Sequence, residues 1–158
     1  MMLKLMKALY DCGAITNEEI EKLNIDFSIV DKLLRKEQLT TYQEGKTVLF
    51  SLNDFGEKVY RINTDKKYFY RCSNLKKMKV LINFYASLTD DERDTWKSKD
   101  VWYNEGHIGS IPDATYLKDG KMYGVFVQTE NTVKKNIENV ERFVKVTKLE
   151  NLTYLKEV

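Results

Sequence analysis

From Leu3 to Ile62 apolar residues recur at helical spacing in four short stretches, and two runs of strand formers lie between the third and the fourth. Leu3, Met6, Leu9 and Tyr10 mark the first helix, and Gly13 follows as a left-handed stop. Thr16 and Glu19 have capping-box spacing ahead of Ile20 and Leu23, which predicts a short second helix. Asn24, Asp26 and Ser28 bring turn and cap chemistry to a third helix. Its inward stripe is Ile29, Val30, Leu33 and Leu34, so Asp31, Lys32, Arg35 and Lys36 point elsewhere. Leu39-Thr40-Thr41-Tyr42 and Thr47-Val48-Leu49-Phe50-Ser51 are strand-forming runs joined by the turn Gln43-Glu44-Gly45-Lys46. Asn53 then caps a last helix through Phe55, Val59, Tyr60 and Ile62. The predicted order is helix, helix, helix, hairpin, helix.

That order, together with the phrase Leu33-Leu34-Arg35-Lys36-Glu37-Gln38-Leu39 ahead of the hairpin, resembles the winged helix-turn-helix superfamily of bacterial regulators over residues 1–63. The resemblance implies binding of double-stranded DNA. A recognition helix enters the major groove, where Arg35 reaches guanine acceptors, Lys32 and Lys36 reach phosphates, and Ser28 adds a phosphate contact at the helix start. Lys46 and Thr47 of the wing approach the adjacent backbone. The 26 basic and 24 acidic residues leave a formal charge of +2, so composition argues neither way and a DNA surface must come from local placement of Lys and Arg. The plainer reading of the same row is a solvated face on a protein-docking module.

The second part, residues 64–158, begins with the basic and aromatic run Lys66-Lys67-Tyr68-Phe69-Tyr70-Arg71, expected as a half-buried connector in preference to a strand or a stacking surface for bases. From Asn74 to Ala86, Leu75, Met78, Val80, Leu81, Phe84 and Tyr85 mark a helix whose other face carries Lys76, Lys77 and Lys79. Thr89 and Glu92 repeat the capping-box spacing before Trp96, and Trp102 with Tyr103 is expected to reopen an extended stretch. The segments Ile111 to Leu117 and Met122 to Glu130 flank Asp119-Gly120 and read as a hairpin. A helix over 132–147 follows, with Val133, Ile137, Val140 and Val144 on one stripe and Lys134, Lys135, Glu138 and Glu141 outside. The fold class is therefore α+β: a first helical domain with a hairpin, then a small α/β domain built on a hairpin and a long helix.

The pattern Pro112-Asp113-Ala114, strand, Asp119-Gly120, strand ending in an acid, helix resembles the replication-relaxation family of plasmid and mobile-element proteins, which joins a winged helix to a restriction-endonuclease-like core. The resemblance implies a PD-(D/E)XK-like remnant. In metal-dependent nucleases of that fold an Asp on the first strand, and an acid two residues before a Lys on the second, hold magnesium and activate water. Asp113 matches the first position. Gln128 stands where the acid is expected and Glu130 where the Lys is expected, so the catalytic set is broken and no catalytic residue or metal is assigned. Under the nuclease alternative the metal would sit near Asp113, Gln128 and Glu130. Asn151-Leu152-Thr153-Tyr154-Leu155 leaves room for one more strand, short of a full nuclease sheet.

Cys12 and Cys72 suggest neither a disulfide framework nor a zinc site, and His107 lies in the loop-like Asn104-Glu105-Gly106-His107-Ile108-Gly109. No apolar run approaches a membrane span, and Met-Met-Leu-Lys-Leu-Met-Lys is interrupted by Lys too early for a signal peptide, so a cytoplasmic protein without cofactor is expected. The leading expectation is sequence-specific binding of double-stranded DNA by a homodimer, in transcriptional or replication and transfer control of a mobile element. The alternatives are a metal-dependent DNA nuclease or nicking accessory protein, and a protein-interaction adaptor.

Overall fold

The computed structural model describes residues 2–156, a mixed α and β protein whose strands form two sheets. The chain divides into two compact units, Met1–Arg71 and Cys72–Val158, whose terminal residues Met1, Glu157 and Val158 lie outside the described residues.

The first unit runs α1 (Met2–Cys12), β1 (Ile15–Thr16), α2 (Asn17–Lys22), α3 (Phe27–Arg35), β2 (Leu39–Glu44), β3 (Thr47–Leu52) and α4 (Asp54–Asn63). Each boundary has a local cause. Gly13 ends α1 with φ +78° and donates its N–H to the Leu9 carbonyl at 3.0 Å. Thr16 accepts from the Glu19 N–H at 3.4 Å, Asp26 from the Ser28 N–H at 2.9 Å, and Asn53 from the Gly56 N–H at 2.8 Å. The hairpin β2–β3 pairs Glu44 with Thr47 around Gly45 at φ +61°. β1 adds to it through Ile15 opposite Phe50, giving the order β1-β3-β2. Two residues are too few to show a strand period, so β1 was not legible in the sequence. Leu5, Leu9, Ile15, Ile20, Val30 and Leu33 are almost wholly buried and form the centre of this unit's core.

The run Lys66 to Arg71 also belongs to the first unit, so the division falls after Arg71 and not after Asn63. The reason is aromatic packing that charge had obscured. Phe69 and Tyr70 are buried, and the Phe69 ring meets Tyr10 edge-on at 5.0 Å and Tyr60 at 5.7 Å. The Tyr70 N–H donates to the Tyr10 carbonyl at 3.1 Å, and Arg71 Nη2 holds Glu57 Oε2 at 2.8 Å.

The second unit runs α5 (Leu75–Ser87), α6 (Asp90–Asp94), β4 (Lys97–Ser98), α7 (Lys99–Asn104), β5 (Ala114–Lys118), β6 (Lys121–Gln128), α8 (Lys134–Thr147) and β7 (Asn151–Lys156). Its sheet has the order β4-β5-β6-β7, antiparallel except for the parallel pair β6–β7 that α8 connects. Asp119 and Gly120 both take positive φ, +52° and +75°, as a two-residue hairpin turn requires. Thr89 and Glu92 cap α6 reciprocally, at 3.2 and 2.8 Å.

Trp102 and Tyr103 do not reopen an extended stretch, because they lie on α7. Six residues give too little periodicity to announce a helix, and tertiary packing decides the conformation: the Trp102 indole meets the Phe143 ring edge-on at 5.2 Å and donates to Thr115 Oγ1 at 3.0 Å. The long helix starts at Lys134 and not at Thr132, since the Thr132 hydroxyl accepts from the Thr129 N–H at 2.8 Å and holds a turn there. Among the described residues no helix is long and apolar enough to cross a membrane.

Two predictions follow from the packing of the first unit. A Cβ at Gly56 would stand 2.1 Å from the Gln38 carbonyl oxygen, so Gly56→Ala is expected to lower stability by about 1–3 kcal/mol despite the better helix propensity of Ala, worth about 1 kcal/mol. Urea unfolding followed by far-ultraviolet circular dichroism measures the net effect. Burial, followed by the charge of Asp11, pushes the Tyr60 phenol up to about 12 from its ordinary 10.0. The folded state therefore keeps a proton that the unfolded chain releases, and stability falls as pH rises from 10 towards 12. Tyr60→Phe should flatten that fall, which alkaline titration of the same transition reads.

Candidate functional site

α3 sorts its residues by face. Val30 and Leu33 are 0% and 2% exposed, whereas Ser28, Lys32, Arg35 and Lys36 are all exposed. Asp31 and Glu37 are exposed as well, so the surface is mixed in sign. The hairpin turn presents exposed Lys46, with Thr47 half-buried beside it. None of Lys32, Arg35, Lys36 or Lys46 is committed to an ion pair among the described residues. Two aromatic side chains accompany this surface: Phe27, half exposed, packs edge-on against Phe50 at 5.9 Å, and Tyr42 on β2 is 53% exposed. Residue type alone gave no reason to separate them from core aromatics.

The second unit holds a different arrangement of charge. Asp113, 1% exposed, sits immediately before β5 with its N–H on the Val125 carbonyl at 2.8 Å and its own carbonyl accepting from the Lys99 N–H at 2.8 Å. Its Oδ2 accepts from the Val127 N–H at 2.8 Å. Its Oδ1 lies 2.8 Å from Lys77 Nζ, delivered by α5, and 4.0 Å from Lys99 Nζ, delivered by the start of α7. A buried carboxylate is tolerable only when its charge is met by a cation and its lone pairs by donors, and here both conditions hold. The cluster opens on a cleft of about 240 Å³ that also involves Tyr103, Ser110, Phe126, Thr129, Thr132 and Asn136. Burial, then Asp100 and Asp113, pushes the Tyr103 phenol above its ordinary value, so it stays protonated and donates to the Gly109 carbonyl at 2.8 Å.

Gln128 and Glu130 do not line that cleft: Gln128 is half-buried at the end of β6 and Glu130 is exposed in the loop that follows. Among the described residues no three His, Cys, Asp or Glu side chains gather as metal ligands would. Lys134 and Lys135 are exposed, Lys134 lying 3.9 Å from Glu138. Lys77 and Lys99 are the cleft residues that sequence reasoning missed. Lys77 appeared only as one of three lysines on a polar helix face, and no spacing links it to Asp113 thirty-six positions later. His107 packs against Trp102 and Phe143, with ring centroids at 5.2 and 5.1 Å, and is not at this cleft.

Compared with known proteins, the chain matches no family model, no curated protein and no solved structure.

Both tryptophans, Trp96 and Trp102, belong to the second unit, so their fluorescence reports on its unfolding. Lys77→Met is expected to cost about 3 kcal/mol, the lower end for breaking a buried pair, because Lys99 remains 4.0 Å from the stranded carboxylate. Adding Asp113→Asn should recover part of that loss. A double-mutant cycle in urea measures the coupling, and strict additivity would mean that the two charges do not hold each other.

Proposed function

We propose that the chain binds double-stranded DNA, with the first unit acting as a winged helix-turn-helix. The observation that carries the reading is α3: one face anchored by Val30 and Leu33, the other presenting exposed Ser28, Lys32 and Arg35, with Lys36 at its C-cap, the three cations making no ion pair among the described residues, in the same unit as a hairpin whose turn offers Lys46. A helix with one buried face and a free cationic face suits the major groove, where Arg35 reads guanine edges and the lysines neutralise phosphates. The three-stranded sheet β1-β3-β2 and the order of elements support the winged-helix assignment.

For the second unit, the order helix, helix, strand, helix, two strands, helix, strand, with β4-β5-β6 antiparallel and β7 parallel to β6, supports kinship with a restriction-endonuclease-like core. The ammonium of Lys77 on Asp113, together with the displacement of Gln128 and Glu130 from the cleft, supports a unit that does not cleave DNA. On this reading the protein acts by occupying a site, in transcriptional or replication and transfer control of a mobile element, and a homodimer suits an operator read by two recognition helices about one helical turn apart.

Charge reversal at Arg35→Glu with Lys36→Glu is expected to weaken duplex binding at least a hundredfold in a gel shift, with an unchanged circular dichroism spectrum. Wild-type affinity should fall steeply with salt, the slope being about −0.9 for each phosphate neutralised. Unaltered affinity in the reversed variant removes α3 from the interface. Incubation of supercoiled plasmid with the protein and magnesium or manganese should leave the plasmid intact, and nicking would favour the nuclease reading.

A further inference from the structure

We propose that the second unit binds a small aromatic monocarboxylate in the cleft between the turn after α7 and one face of α8. This cleft has a volume of about 400 Å³ and shares only Ile111 with the lining of the cleft at Asp113. One wall is the turn from Gly106 to Gly109, which brings His107 and Ile108. The other is Asn139, Arg142, Phe143 and Val146, whose spacing of three, one and three residues puts them on one face of α8.

The polar groups on these walls have no other use. The side chains of His107, Asn139 and Arg142 form no hydrogen bond or ion pair among the described residues, although His107 and Asn139 are half-buried. Polar groups withdrawn from water normally have partners, so a ligand that supplies them gains from all three at once. Glu138 and Glu141 belong to the same helix but do not line the cleft, and Arg142 is the lining residue with a permanent charge. The cleft therefore suits a single negative charge. A guanidinium offers two parallel N–H donors in one plane, which a carboxylate accepts as a pair, whereas the second charge of a phosphate monoester would stay unmet.

The remaining lining selects the body of the ligand. Ile108 is 89% exposed and Val146 71% exposed, so both gain by being covered, and buried Ile111 and Phe143 form the base between them. The Phe143 ring stands 5.1 Å from the His107 ring at 64°, and a third ring can join them in the same edge-to-face manner. About 400 Å³ is the space of roughly thirteen waters at about 30 Å³ each, enough for an acid of one or two rings. The wall is also preformed. The Tyr103 hydroxyl donates to the Gly109 carbonyl at 2.8 Å, the His107 N–H donates to the Trp102 carbonyl at 3.3 Å, and the His107 ring packs against Trp102 at 5.2 Å. A turn held in this way loses little freedom when a ligand enters.

Binding is measured on the full chain without DNA, so its outcome is separate from the reading of α3. Phenylacetate, 3-phenylpropionate and indole-3-acetate are each titrated into the nitrogen-15-labelled protein. At least one acid is expected to shift the amide resonances of Gly106, Ile108 and Gly109 saturably, and to bind at least tenfold tighter than its own carboxamide and than acetate. Arg142→Gln should erase the preference for acid over carboxamide, and Ile108→Ser should weaken the acid at least fivefold. Both side chains are exposed, so the variants should unfold at the wild-type urea midpoint. The wild-type comparison of acid with carboxamide needs no variant to fold. No saturable shift with any of the three acids into the millimolar range overturns the proposal. So does equal binding of acid and carboxamide, an acid preference that survives Arg142→Gln, or tighter binding of phenyl phosphate than of every acid.

Discussion

One buried carboxylate organises the second unit. Asp113 joins β5 to β6 through the Val125 and Val127 backbone, receives the backbone of Lys99 at the start of α7, and takes the ammonium of Lys77 from α5. Four elements thus meet on one residue that is 1% exposed. Because a buried charge left unmatched is far more costly than a matched one, α5 and β6 are held where the Lys77 ammonium and the Val127 N–H reach the carboxylate, while the Asp113 backbone ties in the start of α7 and Val125. The cleft exists because Lys99 and Lys77 approach that point from different helices and leave space between them and the polar turn before α8.

The first unit depends on aliphatic packing in place of a buried charge. Leu5, Leu9, Ile15, Ile20, Val30 and Leu33 fill its centre, and α4 lies so close to the residue before β2 that Gly56 faces the Gln38 carbonyl without room for a methyl group. With the inward face of α3 committed to that core, the outward Lys32 and Arg35 form no ion pair among the described residues. Their charges are available to a ligand at little cost to stability, which is the arrangement a helix needs if it is to enter a groove.

The two units therefore hold cations of opposite character. Lys32, Arg35, Lys36 and Lys46 are exposed and form no ion pair among the described residues. Lys77 and Lys99 are withdrawn from water and directed at a fixed carboxylate. A formal charge of +2 describes neither surface.

By itself the sequence determined most of the local elements: the helices other than α7, caps at Thr16, Asp26, Asn53 and Thr89, the hairpin turns at Gly45 and Asp119-Gly120, and the outward face of α3, because period, capping and turn chemistry act over a few residues. It singled out Asp113 through a short pattern. Only the tertiary structure decided that Phe69 and Tyr70 belong with Tyr10, that Trp102 is helical, and that Lys77 and Lys99, not Gln128 and Glu130, stand with Asp113 in the cleft. Those outcomes rest on contacts between residues far apart in the chain, where neither periodicity nor spacing carries information about which side chains meet.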